Sequence, residues 1–177
     1  MIWLKYFMLS IVFSLLSCGT NNPTEPENLL PGKLVINEFL ARNDKTNTDE
    51  YGEFDDWIEL FNGTDSSINV GGMYISDNLL DKTKFQIPKT DSIKTTVHSG
   101  GYLLIWADND IDQGIHHVGF KLSGSGEEII LTDKDGVTTI DSMTFVEQRT
   151  DFSMGRETDG AEDWLQFANP TPGERNN

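Results

Sequence analysis

From Leu34 onward, apolar and polar positions change places in short runs that are separated by turn residues. Val35, Asn37 and Phe39 alternate with Ile36, Glu38 and Leu40, and Trp57, Glu59 and Phe61 alternate with Ile58 and Leu60. A period of two is that of a strand whose successive side chains point to opposite faces. Tyr102 to Trp106, Glu128 to Leu131 and Val137 to Phe145 read as further strands. Turn chemistry separates them at Asn62-Gly63, Gly71-Gly72, Gly100-Gly101, Asp135-Gly136 and Asp159-Gly160. No segment of the sequence sustains a helical period with caps. Strand-sized runs at this spacing predict an all-β fold of two packed sheets. Trp57, Tyr102, Trp106 and Phe120 are then packing residues of the core or between the sheets, since large aromatics dominate cores by area.

The first residues follow another rule. Lys5 is the only charge before an apolar run from Tyr6 to Leu16, which stops at Ser17, Cys18 and Gly19. The run is shorter than the roughly 20 apolar residues that cross a bilayer core, and small residues follow it, as at a secretion cleavage site. Leu15, Leu16, Ser17 and Cys18 match the bacterial lipobox, in which the cysteine becomes the first mature residue and carries the lipid. Residues 1–17 are therefore read as a lipoprotein signal peptide. Residues 18–32, polar and punctuated by Pro23, Pro26 and Pro31, read as the lipidated Cys18 and an extended tether. Residues 33–177 are the folded domain. The expected place is the bacterial cell envelope, at the outer membrane or cell surface, with the membrane engaged only through Cys18.

Composition changes the picture in two ways. Cys18 is the sole cysteine, so no internal disulfide can form even though an exported chain meets an oxidising compartment. Stability must come from a single core of about 145 residues. The net charge of −16 becomes −17 without the leader, which contains only Lys5 (−16 − 1 = −17). A surface of that sign repels phosphates and anionic headgroups, so no nucleic acid is expected as a partner.

Six segments stand in a fixed order: LVINEFL at Leu34 to Leu40, DWIELFN at Asp56 to Asn62, MYISD at Met73 to Asp77, GGYLLIWAD at Gly100 to Asp108, FKLSGSGEEIILTD at Phe120 to Asp133, and NPTPGERN at Asn169 to Asn176. As an ordered set they resemble a bacterial lamin tail domain over Leu34 to Asn176. The resemblance implies an immunoglobulin-like β-sandwich and a non-catalytic interaction or attachment module. Such domains often accompany envelope or secreted hydrolases, so an accessory role, or binding of an unknown protein or envelope polymer, is the expectation. His116 falls where the family commonly has a histidine before FKLS, which implies a structural hydrogen bond there.

Catalytic signatures are missing from the sequence: it has no HExxH, CxxC, GxSxG or phosphate-cradling glycine loop. Asn62-Gly63-Thr64 spells a glycosylation sequon but reads more simply as a hairpin turn. His116 and His117 are neighbours, and on an extended strand they would face opposite ways. Two acidic loops remain as candidate chemistry. The first carries Asp49, Glu50, Glu53, Asp55 and Asp56, and the second Asp108, Asp110 and Asp112. Closely spaced carboxylates near a glycine are how short loops supply calcium with its six to eight oxygens, although neither loop has EF-hand spacing. Calcium is thus the candidate cofactor. The competing functional class is a small calcium-dependent hydrolase, which would need these carboxylates to converge on an open cleft.

Overall fold

The computed structural model describes residues 32–177. The expected signal peptide, Cys18 and the expected tether before residue 32 lie outside the described residues. Among the described residues there are eleven strands: β1 Leu34–Leu40, β2 Asp56–Asn62, β3 Ile68–Asn69, β4 Tyr74–Ser76, β5 Phe85–Gln86, β6 Thr96–Val97, β7 Tyr102–Ala107, β8 Gly126–Thr132, β9 Thr139–Val146, β10 Ser153–Arg156 and β11 Trp164–Phe167. They form a five-stranded sheet in the order β11-β10-β1-β2-β7, a four-stranded sheet in the order β5-β4-β8-β9, and the small ribbon β3-β6. The main core joins the two large sheets, with Ile36, Phe39, Ile58, Leu60 and Ile105 from the first and Ile75, Ile129, Leu131 and Phe145 from the second. The result is an all-β, immunoglobulin-like sandwich. The glycine turns at Asp135-Gly136 and Asp159-Gly160 close the β8–β9 and β10–β11 hairpins.

β2 keeps the alternation of its sequence, with Ile58 and Leu60 facing the core and Trp57 turned away. β1 does not. Its pairing with β2 steps from Ile36↔Leu60 to Glu38↔Glu59, so Asn37 is an extra residue in a β-bulge. Leu34, Ile36, Phe39 and Ala41 therefore all reach the main core, where strict alternation would have sent Phe39 and Ala41 outward. The bulge corrects the simple period because one inserted residue inverts the faces of everything after it. It also turns the Ile36 amide out of the ladder, to donate to Asp141 Oδ2 of β9 in the opposite sheet at 2.8 Å. Arg156 completes that link: its Nη2 donates to the same Asp141 oxygen at 2.8 Å and its Nε to the Ile36 carbonyl at 2.7 Å.

The turn at Asn62 is not a hairpin, since β3 pairs with β6 and not with β2. Asn62 is fully buried. Its Nδ2 donates to the carbonyls of Ser66 and Val97 at 2.8 and 2.9 Å, so the amide that a sequon would offer to a glycan is committed to tying β2 to the ribbon.

On the outer face of the five-stranded sheet, Glu38 and Glu59 stand directly opposite each other on β1 and β2, and both are 0% exposed. Like charges opposed in this way repel. The C-terminal segment answers them with donors. Thr171 N and Oγ1 donate to Glu38 at 3.1 and 2.7 Å, Gly173 N donates to Glu59 at 2.5 Å, and Ser153 Oγ hydrogen-bonds Glu38. Asn176 Nδ2 reaches the Arg156 carbonyl at 2.7 Å, its path kept open by Gly155, where a side chain would begin 3.0 Å from that nitrogen and 2.5 Å from the Phe167 ring. Asn37 joins the set by donating to Glu59 and to Asp159, each at 3.1 Å.

Burial raises Glu38 above the ordinary value and pushes Glu59 up to about 8, with the Glu38 charge adding to the shift at Glu59. Because the folded protein favours the uncharged form, the stability tied to Glu59 is complete below its ordinary value of 4.5 and is lost as pH rises toward about 8. The urea denaturation midpoint should accordingly fall between about pH 5 and about pH 8, and Glu59→Gln should flatten the fall. A midpoint that climbs with pH in the unaltered domain would contradict this assignment.

Candidate functional site

At one end of the five-stranded sheet the two acidic loops meet. Ile105 and Ala107 of β7 face the core, so Trp106 and Asp108 face outward by alternation. The chain then turns and comes back along β7: Trp106 N donates to the His116 carbonyl at 2.7 Å, and Val118 N to the Trp106 carbonyl at 2.9 Å. Val118 and Phe120 enter the core, which leaves His117 on the outer side with Trp106 and Asp108. There Leu40, Trp57 and Trp106 form a second, smaller cluster.

The loop between β1 and β2 covers this cluster. Asn47 Oδ1 accepts from Trp57 Nε1 at 2.8 Å, and Asn43 Nδ2 donates to the carbonyls of Asn47 and Asp55 at 2.7 and 2.9 Å. Asp49 shapes the loop's tip, its Oδ1 accepting from Tyr51 N at 2.9 Å and Glu53 N at 2.8 Å. Tyr51 crosses to the second loop, where its hydroxyl donates to the Gln113 carbonyl at 3.1 Å. Gln113 returns the contact through Nε2 to Glu53 at 2.6 Å.

These contacts bring Asp49 and Asp108 together with His117, the ligand atoms lying within 4.8 Å of one another. Asp49, Glu53 and Asp55 form an overlapping group by the same measure. His117 Nδ1 hydrogen-bonds Asp108 Oδ2, and Glu50 Oε1 lies 3.5 Å from Nε2. Burial alone would lower the imidazole, but the hydrogen bond and charge of Asp108, joined by Glu50, outweigh it and hold His117 above its ordinary value. Burial and the Asp108 charge raise Asp55, opposed by Lys121 Nζ at 3.9 Å. Asp56 is pushed up to about 6, mainly by burial, and joins neither group. Asp110 and Asp112 are exposed and stand apart as well.

Five buried side-chain atoms among the described residues lack a hydrogen-bond partner, and three of them are in this corner: Asp49 Oδ2, Gln113 Oε1 and His117 Nε2. Buried polar atoms are nearly always paired, so a concentration of orphans calls for a missing partner such as a water or an ion. Sequence reading grouped the carboxylates but not the histidine. The signal was available in the alternation, because core-facing Ile105, Ala107, Val118 and Phe120 leave Trp106, Asp108 and His117 on the other face. His116, by contrast, turns its Nε2 to the Lys94 carbonyl at 2.9 Å, a structural hydrogen bond.

A separate concave surface lies on the opposite flank, between β9 and β11, the free edges of the two large sheets. It has a volume of about 610 Å³, and Met143, Phe145, Met154 and Trp164 line it.

The architecture defines the class first, an immunoglobulin-like sandwich whose buried polar groups secure its own loops and tail. The family described as Lamin Tail Domain matches residues 30–147, and the chain belongs to that family, one of non-catalytic immunoglobulin-like domains. β10, β11 and the C-terminal segment lie past the matched residues, yet β10 pairs with β1 and carries β11 on its other edge, and the C-terminal segment hydrogen-bonds to Glu38 of β1 and Glu59 of β2. No curated protein and no solved structure matches the chain.

The docking of the first loop can be checked through a single contact. Asn47→Ala removes the acceptor of Trp57 Nε1 among the described residues and should cost about 1–3 kcal/mol, the penalty for stranding a buried donor. Amides of residues 43–55 should exchange faster with solvent. Unchanged stability together with unchanged exchange would show that the loop does not depend on this anchor.

Proposed function

We propose that this chain is a non-catalytic interaction module, displayed at the bacterial envelope surface and held to a membrane by lipid on Cys18. Its partner is a protein or an envelope polymer, and it serves beside a separate envelope or secreted hydrolase. The observation that carries the reading is the sequence order: a lamin tail domain follows a short apolar leader, a Leu-Leu-Ser-Cys junction and a proline-spaced tether. Acyl chains on Cys18 supply the anchor, since each buried methylene contributes about 0.8 kcal/mol. The polar stretch up to Gly32 holds the sandwich clear of the lipid.

The burial of Asp49, Asp108 and His117 weighs against the hydrolytic alternative. Asp49, Asp108 and His117 are 7%, 6% and 0% exposed, which leaves a substrate no approach to them. Glu38 and Glu59, the other opposed carboxylates, are fully buried and satisfied by the protein's own C-terminal segment.

Cys18→Ser tests the anchoring directly. The variant should move from the membrane fraction to the soluble exported fraction, with the folded domain unaltered by circular dichroism. Retention in the membrane to the same extent as the unaltered protein would refute the lipid anchor.

A further inference from the structure

We propose that Asp49, Asp108 and His117 form a closed structural site for a divalent transition metal of the zinc class, in place of the calcium that the carboxylates alone suggest. Three elements that are distant in sequence meet there: the β1–β2 loop, the end of β7, and the return segment beside β7. Their ligand atoms lie within 4.8 Å of one another. Zinc bonds of about 2.0–2.2 Å place tetrahedral ligands about 3.5 Å apart, so side-chain rotation of an ångström or so closes the set.

A further observation points to a ligand. Asp49 is 7% exposed and its Oδ2 is unpartnered, while its Oδ1 is already taken by two backbone amides. It would otherwise be a buried polar atom left at a cost. Asp108 Oδ2 already meets His117 at Nδ1, where a metal would replace the shared proton. Glu50, with Oε1 3.5 Å from Nε2 and its side chain 60% exposed, stands at the solvent edge, where it can supply a further donor.

The donor types choose the metal. Calcium and magnesium take oxygen ligands, whereas an imidazole with carboxylates suits zinc and its neighbours. A fully buried histidine at the centre therefore argues against calcium. Structural zinc sites are filled by four protein ligands with no open position, a number that Asp49, Asp108 and His117 reach with Glu50. Such a site would cross-link three segments in an exported chain that has no cysteine pair with which to do so. The inference is independent of the membrane anchor.

The experiment takes the purified protein, strips it with a chelator, and follows thermal unfolding with zinc chloride, with calcium chloride, and with sodium chloride at matched ionic strength. Zinc should raise the melting temperature with concentration at one equivalent per chain, and calcium should do no more than sodium chloride. Cobalt(II) should give the visible absorption of a low-coordinate site with a nitrogen ligand, a readout that needs no variant. Asp49→Asn, which keeps the Oδ1 acceptor, and His117→Gln should each weaken zinc binding at least tenfold, and Asp112→Asn should leave it unchanged. The proposal is overturned if zinc acts no differently from sodium chloride, if calcium stabilises as well as zinc, or if zinc binding survives both ligand variants.

Discussion

Glu38 and Glu59 oppose each other across β1 and β2 with neither reaching solvent, and much of the architecture is arranged around that pair. Two carboxylates in this position would drive the strands apart if both were charged and unbonded. Donors from the C-terminal segment, from β10 and from Asn37 surround them instead. The segment that supplies the donors is in turn held in place by the same groups. Asn176 is fully buried, and its backbone amide donates to Asp159 Oδ1 at 3.1 Å, the oxygen that also accepts from Asn37. A network of this kind is stable only when every member is satisfied, so the last residues of the chain belong to the fold as much as β1 does.

The β1 bulge connects this outer network to the sandwich interior. By adding Asn37 to the strand, it presents the Ile36 amide and carbonyl to Asp141 and Arg156 while keeping Phe39 in the core. Arg156 lies over the Trp164 ring at 5.0 Å and bridges the sheets through Asp141, an ion pair with both side chains largely buried. Removing one partner from such a pair typically costs about 3–5 kcal/mol, because the other is left charged without solvent. At the far end of the same sheet face, the first loop and the His117 segment enclose Trp57 and Trp106. The outer face is thus roofed twice, by the tail over its carboxylates and by the loop over its indoles.

Much of this was legible in the chain, and the gaps have physical reasons. β2 was readable from its alternation between Trp57 and Phe61, and β7 from the compact apolar run Tyr102 to Trp106 that follows the Gly100-Gly101 turn. β1 was recognisable as a strand, but the faces of Phe39 and Leu40 were not, since a bulge leaves no mark in composition. β3, β5 and β6 are two residues long, too short to show a period. β10 escaped because Ser153-Met154-Gly155-Arg156 has no β-branched or aromatic residue, and its glycine is required by the approach of Asn176, a contact made 20 residues on. NPTPGERN stood out as a motif, yet its role as a hydrogen-bond donor to Glu38 and Glu59 depends on pairings more than a hundred residues distant. The acidic loops were visible as charge; their convergence on His117 depended on how the loop folds over Trp57.

The C-terminal segment is a structural part of the sandwich through its donors to the opposed glutamates. Equilibrium urea unfolding of the protein with and without residues 169–177 tests it most directly. The shortened chain should lose most of its cooperative stability at neutral pH and regain part of it as the solution is made acidic enough to protonate Glu38 and Glu59. An unchanged midpoint in the shortened chain would show that the glutamates do not need the tail, and the account would fail.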